Sequence, residues 1–145
     1  MENKYVAVDK MKLYNYLKGQ DLKNLSNKEL VVSMHGITMM QDHHNFLVGI
    51  NTGLTATSIV CGLIISSPAL LGFIAGAGMA GAYFTIFNTV RAHQIKRLQN
   101  KYADALLKRY DNFMDAYMET AKTIMSVERE DILDLINKVN EEEAK

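Results

Sequence analysis

The sequence predicts an all-α membrane protein, in which a two-span transmembrane helical hairpin is flanked by amphipathic helices and followed by a long cytoplasmic helix. All 32 charged residues lie outside residues 43–90, with 11 in residues 1–42 and 21 in residues 91–145. Within the uncharged stretch, a single proline separates two apolar runs of similar length. Soluble folds give each element a face in water, so a stretch this long without charge is typical of a membrane segment.

Residues 1–45 are expected to form short amphipathic helices. The first ends near Gly19, and Val6, Leu13 and Leu17 fall on one of its faces. Ser26 and Glu29 have the spacing of a capping box, in which each side chain binds an otherwise unpaired backbone amide at a helix start. The second helix is therefore predicted over residues 27–41.

Residues 46–89 are expected to form the hairpin itself. Its halves, 46–66 and 69–89, contain 21 residues each, and as helices they would be about 30 Å long, close to the hydrocarbon thickness of a bilayer. The turn is assigned to Ser67 and Pro68, because proline disfavours helix in the residue before it and is tolerated at the first turn of the next helix.

Small residues recur at four-residue spacing in both halves of the hairpin. In lipid they allow helix backbones to approach closely and gain dispersion contacts. The second half has small residues on more than one side, which one neighbouring helix cannot cover, so a homo-oligomer is expected. The predicted packing residues are Gly49, Gly53, Gly72, Gly76, Ala80 and Gly81.

A polar row follows one face of the first half. An asparagine that faces lipid is costly, so this row should face protein or water. Two roles remain open, hydrogen bonding between helices and the lining of a pore. No charged residue lies at membrane depth, which argues against a proton relay or a voltage sensor. The candidate lining residues are Asn51, Thr55, Ser58 and Ser66.

Residues 90–145 carry an apolar stripe that continues from Ile95 to Ile124, and neither glycine nor proline interrupts them. This pattern predicts a long amphipathic helix or a helix pair, with a kink or turn at 126–130. A single chain does not easily cover so long a stripe, so a protein partner or further copies are expected to bind it.

The distribution of basic residues predicts the orientation. Basic flanks remain in the cytoplasm, and the turn is uncharged, so both termini are expected there. The same bases are expected to contact lipid headgroups. No nucleic-acid partner is expected, because the C-terminal part as a whole has balanced charge. The four anchor residues nearest the second span are Arg91, Lys96, Arg97 and Lys101.

Catalytic and cofactor motifs are absent from the sequence, and the chain is not expected to be an enzyme or to bind a cofactor. The adjacent His43 and His44 point to different sides of a helix and lack a third ligand at zinc-site spacing. Cys61 is the only cysteine and lies in the apolar stretch, so a packing role is expected for it.

The layout of the hairpin at 46–89 and the run that follows it from Arg91, Ala92 and His93 to Tyr102 resembles the SLATT-type two-helix membrane effector domains of bacterial defence systems. That resemblance implies oligomeric pores or membrane disruption triggered by a sensor, in a bacterial inner membrane. Class II holins, which are virus-encoded, are similar in topology.

Three functions follow as hypotheses. The first is an oligomeric effector that forms a pore or perturbs the membrane. The alternative is a membrane-anchored scaffold that assembles through the helix at 91–124. A third is a soluble form that covers the hairpin before insertion, which so few flanking residues would hardly achieve outside a large assembly.

Overall fold

A computed structural model describes residues 9–65 and 67–142, and these contain five α-helices and no strand. The all-helical prediction is therefore confirmed for the described part of the chain. The helices, in chain order, are α1 (Lys10–Gly19), α2 (Asn27–Ile64), α3 (Pro68–Leu107), α4 (Phe113–Met125) and α5 (Arg129–Glu142).

The chain divides into two compact units. We call residues 41–94 the hairpin unit; it contains the second part of α2 and the first part of α3. The remaining described residues, 9–40 and 95–142, form the flanking unit, which contains α1, α4, α5 and the outer parts of the two long helices.

Local signals placed several helix ends correctly. α1 ends at Gly19, and its N-cap is Asp9, whose side chain accepts from the Met11 amide. α2 begins at Asn27 behind the predicted capping box: the Ser26 amide donates to Glu29 Oε2 (2.9 Å), and the Glu29 amide donates to Ser26 Oγ (3.2 Å). These bonds from Ser26 lower the pKa of Glu29. Val6 lies outside the described residues.

The predicted separation of a helix at 27–41 from a span beginning at 46 is wrong. α2 runs without interruption from Asn27 to Ile64. The polar residues between the two predicted segments include neither glycine nor proline, so the backbone hydrogen bonds continue through them. At the turn, α2 ends at Ile64, earlier than expected, and α3 begins at Pro68 as expected.

The prediction of a continuous helix over residues 91–124 is also wrong. α3 ends at Leu107 and α4 begins at Phe113, while the break expected at 126–130 is present between α4 and α5. Asn112 caps α4, since its side chain accepts from the Asp115 amide at 2.8 Å. The apolar stripe runs through this break in phase, so the hydrophobic period alone did not reveal it.

The core of the flanking unit is built around Tyr102, which is completely buried. Ile95, Leu98 and Leu106 share its face of α3 and are buried with it, against residues of α1, α2 and α5. The Tyr102 hydroxyl donates to the Leu17 carbonyl at 2.8 Å. This bond satisfies a carbonyl in the last turn of α1 that has no partner within the helix.

Polar bonds fix the helices around this core. The Arg109 guanidinium donates to Asn27 Oδ1 (2.7 Å), to the Leu22 carbonyl (2.9 Å) and to the Leu25 carbonyl (2.6 Å). It therefore ties the connection between α1 and α2 to the end of α3. Lys28 pairs with Asp131 of α5 at 2.8 Å, and this bond lowers the pKa of the Asp131 carboxyl.

Alkaline solution is expected to destabilise the flanking unit through Tyr102. Burial raises the pKa of Tyr102 to about 12, against about 10 in an unfolded chain. The unfolded chain thus loses this proton first, so the free energy of unfolding is unaffected below pH 10 and falls as the pH rises towards 12, by about 3 kcal/mol in total.

Thermal unfolding in detergent, followed by circular dichroism at pH 9 and 11.5, measures this loss. Tyr102→Phe is the control, because it retains every other titrating group. An equal loss of stability in both proteins would contradict the assignment to Tyr102.

Candidate membrane-spanning hairpin

The two helices of the hairpin unit are antiparallel and touch through glycines. An added Cβ at Gly81 would lie 2.6 Å from Thr55 Oγ1, and one at Gly78 would lie 3.2 Å from Ser58 Cβ. An added Cβ at Gly62 would lie 3.9 Å from Ile74. Residue numbers increase along α2 as those of the facing residues decrease along α3. The two helices therefore run antiparallel and pack along one face of each.

Two side chains of the polar row of α2 lie at this contact. Thr55 and Ser58 face Gly81 and Gly78, and the Thr55 hydroxyl donates to the Asn51 carbonyl at 2.9 Å. In α3, the Thr85 hydroxyl likewise donates to the Gly81 carbonyl at 2.8 Å. These hydroxyls are thus satisfied within their own helices, and they would need no water as partners in an apolar medium.

A hydrogen bond closes the open end of the hairpin, opposite the turn. His44 Nδ1 lies 2.9 Å from Asn88 Oδ1, and the Asn88 amide group donates to the Phe84 carbonyl at 2.8 Å. Because the NH₂ group of Asn88 donates to Phe84, the atom that faces His44 is the amide oxygen, which can only accept. His44 therefore carries a proton on Nδ1 and donates it to this oxygen. Asn88 is only 5% exposed. No sequence pattern predicted this pair, although both residues lie near the ends of the apolar stretch.

The outer face of the hairpin is apolar and uncovered. None of the residues in the most apolar window of α2 is buried, and only 6% of those in α3 are. A core helix of a soluble protein would show mostly buried residues instead. Both helices are long and apolar enough to cross a membrane. The large side chains that are more than 60% exposed are Phe46, Ile59, Leu63, Ile64, Phe73, Met79, Tyr83 and Ile86.

The predicted packing residues fall into two groups. Gly81 lies at the contact between α2 and α3. The other glycines point outward, and an added Cβ would meet no atom within 4 Å of it; Ala80 is exposed as well. The outward group consists of Gly49, Gly53, Gly72, Gly76 and Ala80.

Three of the candidate pore-lining residues, Asn51, Thr55 and Ser58, are half-buried in the single chain. Thr55 and Ser58 face α3, which favours the interhelical role, and pore lining stays a prediction. Asn51 is half-buried, and its side-chain amide has no hydrogen bond to any described residue. Ser66 lies outside the described residues.

The basic residues after the apolar stretch have different surroundings. Arg91 donates to Gln94 Oε1 at 3.2 Å, and its guanidinium lies 5.4 Å from the centre of the Phe87 ring. A cation over an aromatic ring is favourable and leaves the charge accessible. Lys96, Arg97 and Lys101, in the flanking unit, are exposed.

Comparison with protein-family models, curated proteins and solved structures finds no match to this chain. No group of three potential metal ligands occurs in residues 9–65 and 67–142, and Cys61 is a half-buried free thiol.

Proposed function

We propose that this chain is an integral membrane protein whose hairpin unit spans the bilayer and anchors the flanking unit in the cytoplasm, where the flanking unit assembles with further copies. The observation that carries the proposal is the solvation of the hairpin unit. Its large apolar side chains point outward, while Thr55, Thr85 and the pair of His44 and Asn88 make hydrogen bonds within the hairpin. This arrangement is unfavourable in water and suits hydrocarbon.

The dimensions support insertion. Residues 46–64 of α2 and 68–89 of α3 would be about 29 and 33 Å long at the usual helical rise. These lengths match a hydrocarbon core of about 30 Å. The bond between His44 and Asn88 then lies at the membrane surface, and the basic residues that follow Val90 favour the cytoplasmic side for both chain ends.

Cysteine labelling tests insertion and orientation together. In a Cys61→Ala background, Ile59→Cys places a thiol on the outer face of the hairpin, and Glu130→Cys places one on an exposed position of α5. A membrane-impermeant maleimide should label Glu130→Cys in inside-out vesicles but not in right-side-out vesicles. Ile59→Cys should remain unlabelled in both until detergent is added. Rapid labelling of Ile59→Cys in sealed vesicles would contradict the proposal.

Assembly with further copies is supported by two incomplete surfaces, one in each unit. The outward glycines of the hairpin unit touch nothing in the chain. In α4, only Ala116 is buried, and one face, which we call the α4 face, is exposed. Binding to further copies of the same chain would cover both surfaces with a single kind of partner. The α4 face comprises Phe113, Met114, Tyr117, Met118 and Met125.

The α4 face is large for a surface that remains in water. Its side chains are between 52% and 87% exposed. Contiguous apolar patches of this kind mark interaction sites, and methionine-rich ones adapt readily to a partner. The proposed role is therefore that of a scaffold, in which the hairpin fixes the location and α4 makes contacts.

A pore-forming effector is the second candidate. The unpartnered amide of Asn51 favours it, because an amide left without a hydrogen bond at membrane depth is costly unless water or another helix reaches it. The layout resemblance to two-helix membrane effectors points the same way. In this candidate, Asn51 side chains from several copies would line a wet axis.

Membrane potential distinguishes the two candidates. For a scaffold, cells that express the chain strongly should keep their potential, and so should cells that express Asn51→Leu. For a pore, the wild-type chain should collapse the potential and Asn51→Leu should restore it. Particle mass in detergent, measured alongside, should exceed that of one chain in both cases, and a monomer would contradict self-assembly.

A further inference from the structure

The end of α3 and the connection between α1 and α2 border an open basic groove in the flanking unit. Its volume is about 530 Å³. Four of its residues carry positive charge and one carries negative charge, while two apolar residues complete its wall. We call it the basic groove; it is lined by Leu22, Lys23, Lys101, Asp104, Ala105, Lys108 and Arg109.

The shape of the groove is fixed by bonds that do not use its lysines. Arg109 donates to the carbonyls of Leu22 and Leu25, and so holds the connection against the end of α3. Asp21 Oδ1 accepts from the Lys23 amide at 3.2 Å, and its other oxygen accepts from Asn24 at 2.9 Å. The backbone that carries Lys23 is therefore constrained before any ligand binds.

The three lysine ammonium groups of the groove, from Lys23, Lys101 and Lys108, have no hydrogen-bond or ion-pair partner among the described residues. Three other lysines of the same unit are paired, Lys28 with Asp131, Lys138 with Glu29 and Lys122 with Glu119, whereas Lys10, Lys18 and Lys96 have no partner among the described residues and do not line the groove. Like charges around one concave surface repel each other, and a bound anion removes that repulsion.

We propose that the basic groove binds a phosphate-bearing anion with more than one negative charge. Lysine binds phosphate as a point charge, and three lysines around one concavity match a ligand whose charge is spread over several oxygens. The volume lies within the range of small-molecule sites. The anion has two possible sources, a soluble polyphosphate or the headgroups of anionic lipids. The proposal rests on the flanking unit alone.

Lysine acetylation, read by mass spectrometry, tests occupancy on the full chain in nanodiscs. Discs of phosphatidylcholine are compared without and with inorganic triphosphate, and with discs that contain cardiolipin, whose headgroup carries two phosphates. Triphosphate protection of Lys23, Lys101 and Lys108, relative to Lys10 and Lys18 of α1, assigns a soluble source. Protection by cardiolipin alone assigns a lipid headgroup. Absence of selective protection in both arms overturns the proposal.

Calorimetry in phosphatidylcholine discs tests the charges for a soluble ligand. Lys101→Gln with Lys108→Gln should weaken triphosphate binding about tenfold, because two positive charges that attract the anion are removed. Asp104→Asn should tighten binding about threefold, because a negative charge that repels the anion is removed. Lys10→Gln with Lys18→Gln is the matched control and should change it less than twofold. All these residues are exposed, so helicity should be retained. Equal weakening by both lysine pairs would overturn the site.

Discussion

Replacing Gly81 by leucine is expected to separate the two helices of the hairpin unit. A Cβ at this position would lie 2.6 Å from Thr55 Oγ1, 3.1 Å from the Asn51 carbonyl oxygen and 3.3 Å from the Thr55 amide nitrogen. Two of these atoms belong to the backbone and cannot rotate away, so α3 must move. Overpacking typically costs about 1–3 kcal/mol, and a backbone obstacle places this variant at the upper end.

Gly76→Leu is the matched control, because it makes the same change in the same helix where an added Cβ meets nothing within 4 Å. The hairpin should close normally in this variant. If further copies pack against the outward glycines, its oligomer should nevertheless dissociate. The two variants thus separate packing within the chain from packing between chains.

A cysteine pair reports closure of the hairpin. In a Cys61→Ala background, Ser58→Cys and Gly78→Cys place two thiols on facing positions, where the present Cβ separation would be 3.2 Å. That is close to the separation of a disulfide, so oxidation should join them after a small adjustment. The cross-linked fraction should fall about tenfold or more with Gly81→Leu and stay unchanged with Gly76→Leu. Equal cross-linking in both would contradict the observed helix contact.

Replacing Tyr102 by alanine is expected to unfold much of the flanking unit. The side chain is completely buried and packs among residues of α1, α2 and α3, so its loss leaves a cavity that costs about 3–5 kcal/mol. Tyr102→Phe keeps the ring but removes the donor to the Leu17 carbonyl, which should cost about 1–3 kcal/mol.

Amide hydrogen exchange in α1 measures this effect locally. Exchange should accelerate strongly in Tyr102→Ala and less in Tyr102→Phe, since α1 is held by the ring as well as by the hydroxyl. Tyr117→Ala is the control: this tyrosine is 61% exposed on α4, and its loss should leave exchange in α1 unchanged. Equal acceleration by Tyr102→Ala and Tyr117→Ala would show that burial at 102 is not what holds α1.

Sequence patterns gave reliable helix ends only where a local signal marks them. The capping box at Ser26 and Glu29 and the proline at 68 placed two helix starts, because each acts on backbone groups within a few residues. The start of α4 has such a signal in Asn112, but an apolar stripe in phase across it concealed the break. The bonds from Arg109 to Leu22 and Leu25 cross most of the chain, and no local pattern encodes them.

The sequence by itself determined the helical class and the uncharged stretch, since charge and helical period are properties of neighbouring residues. Tertiary structure alone decided which face of each helix is covered: Gly81 and Gly78 face α2, whereas Gly72 and Gly76 do not, although all four occupy similar small-residue patterns. It also joined His44 to Asn88 and left the ammonium groups of the basic groove unpaired. The side of a helix that becomes buried is fixed by the surface that packs against it. That surface comes from distant parts of the chain, so a local sequence pattern does not specify it.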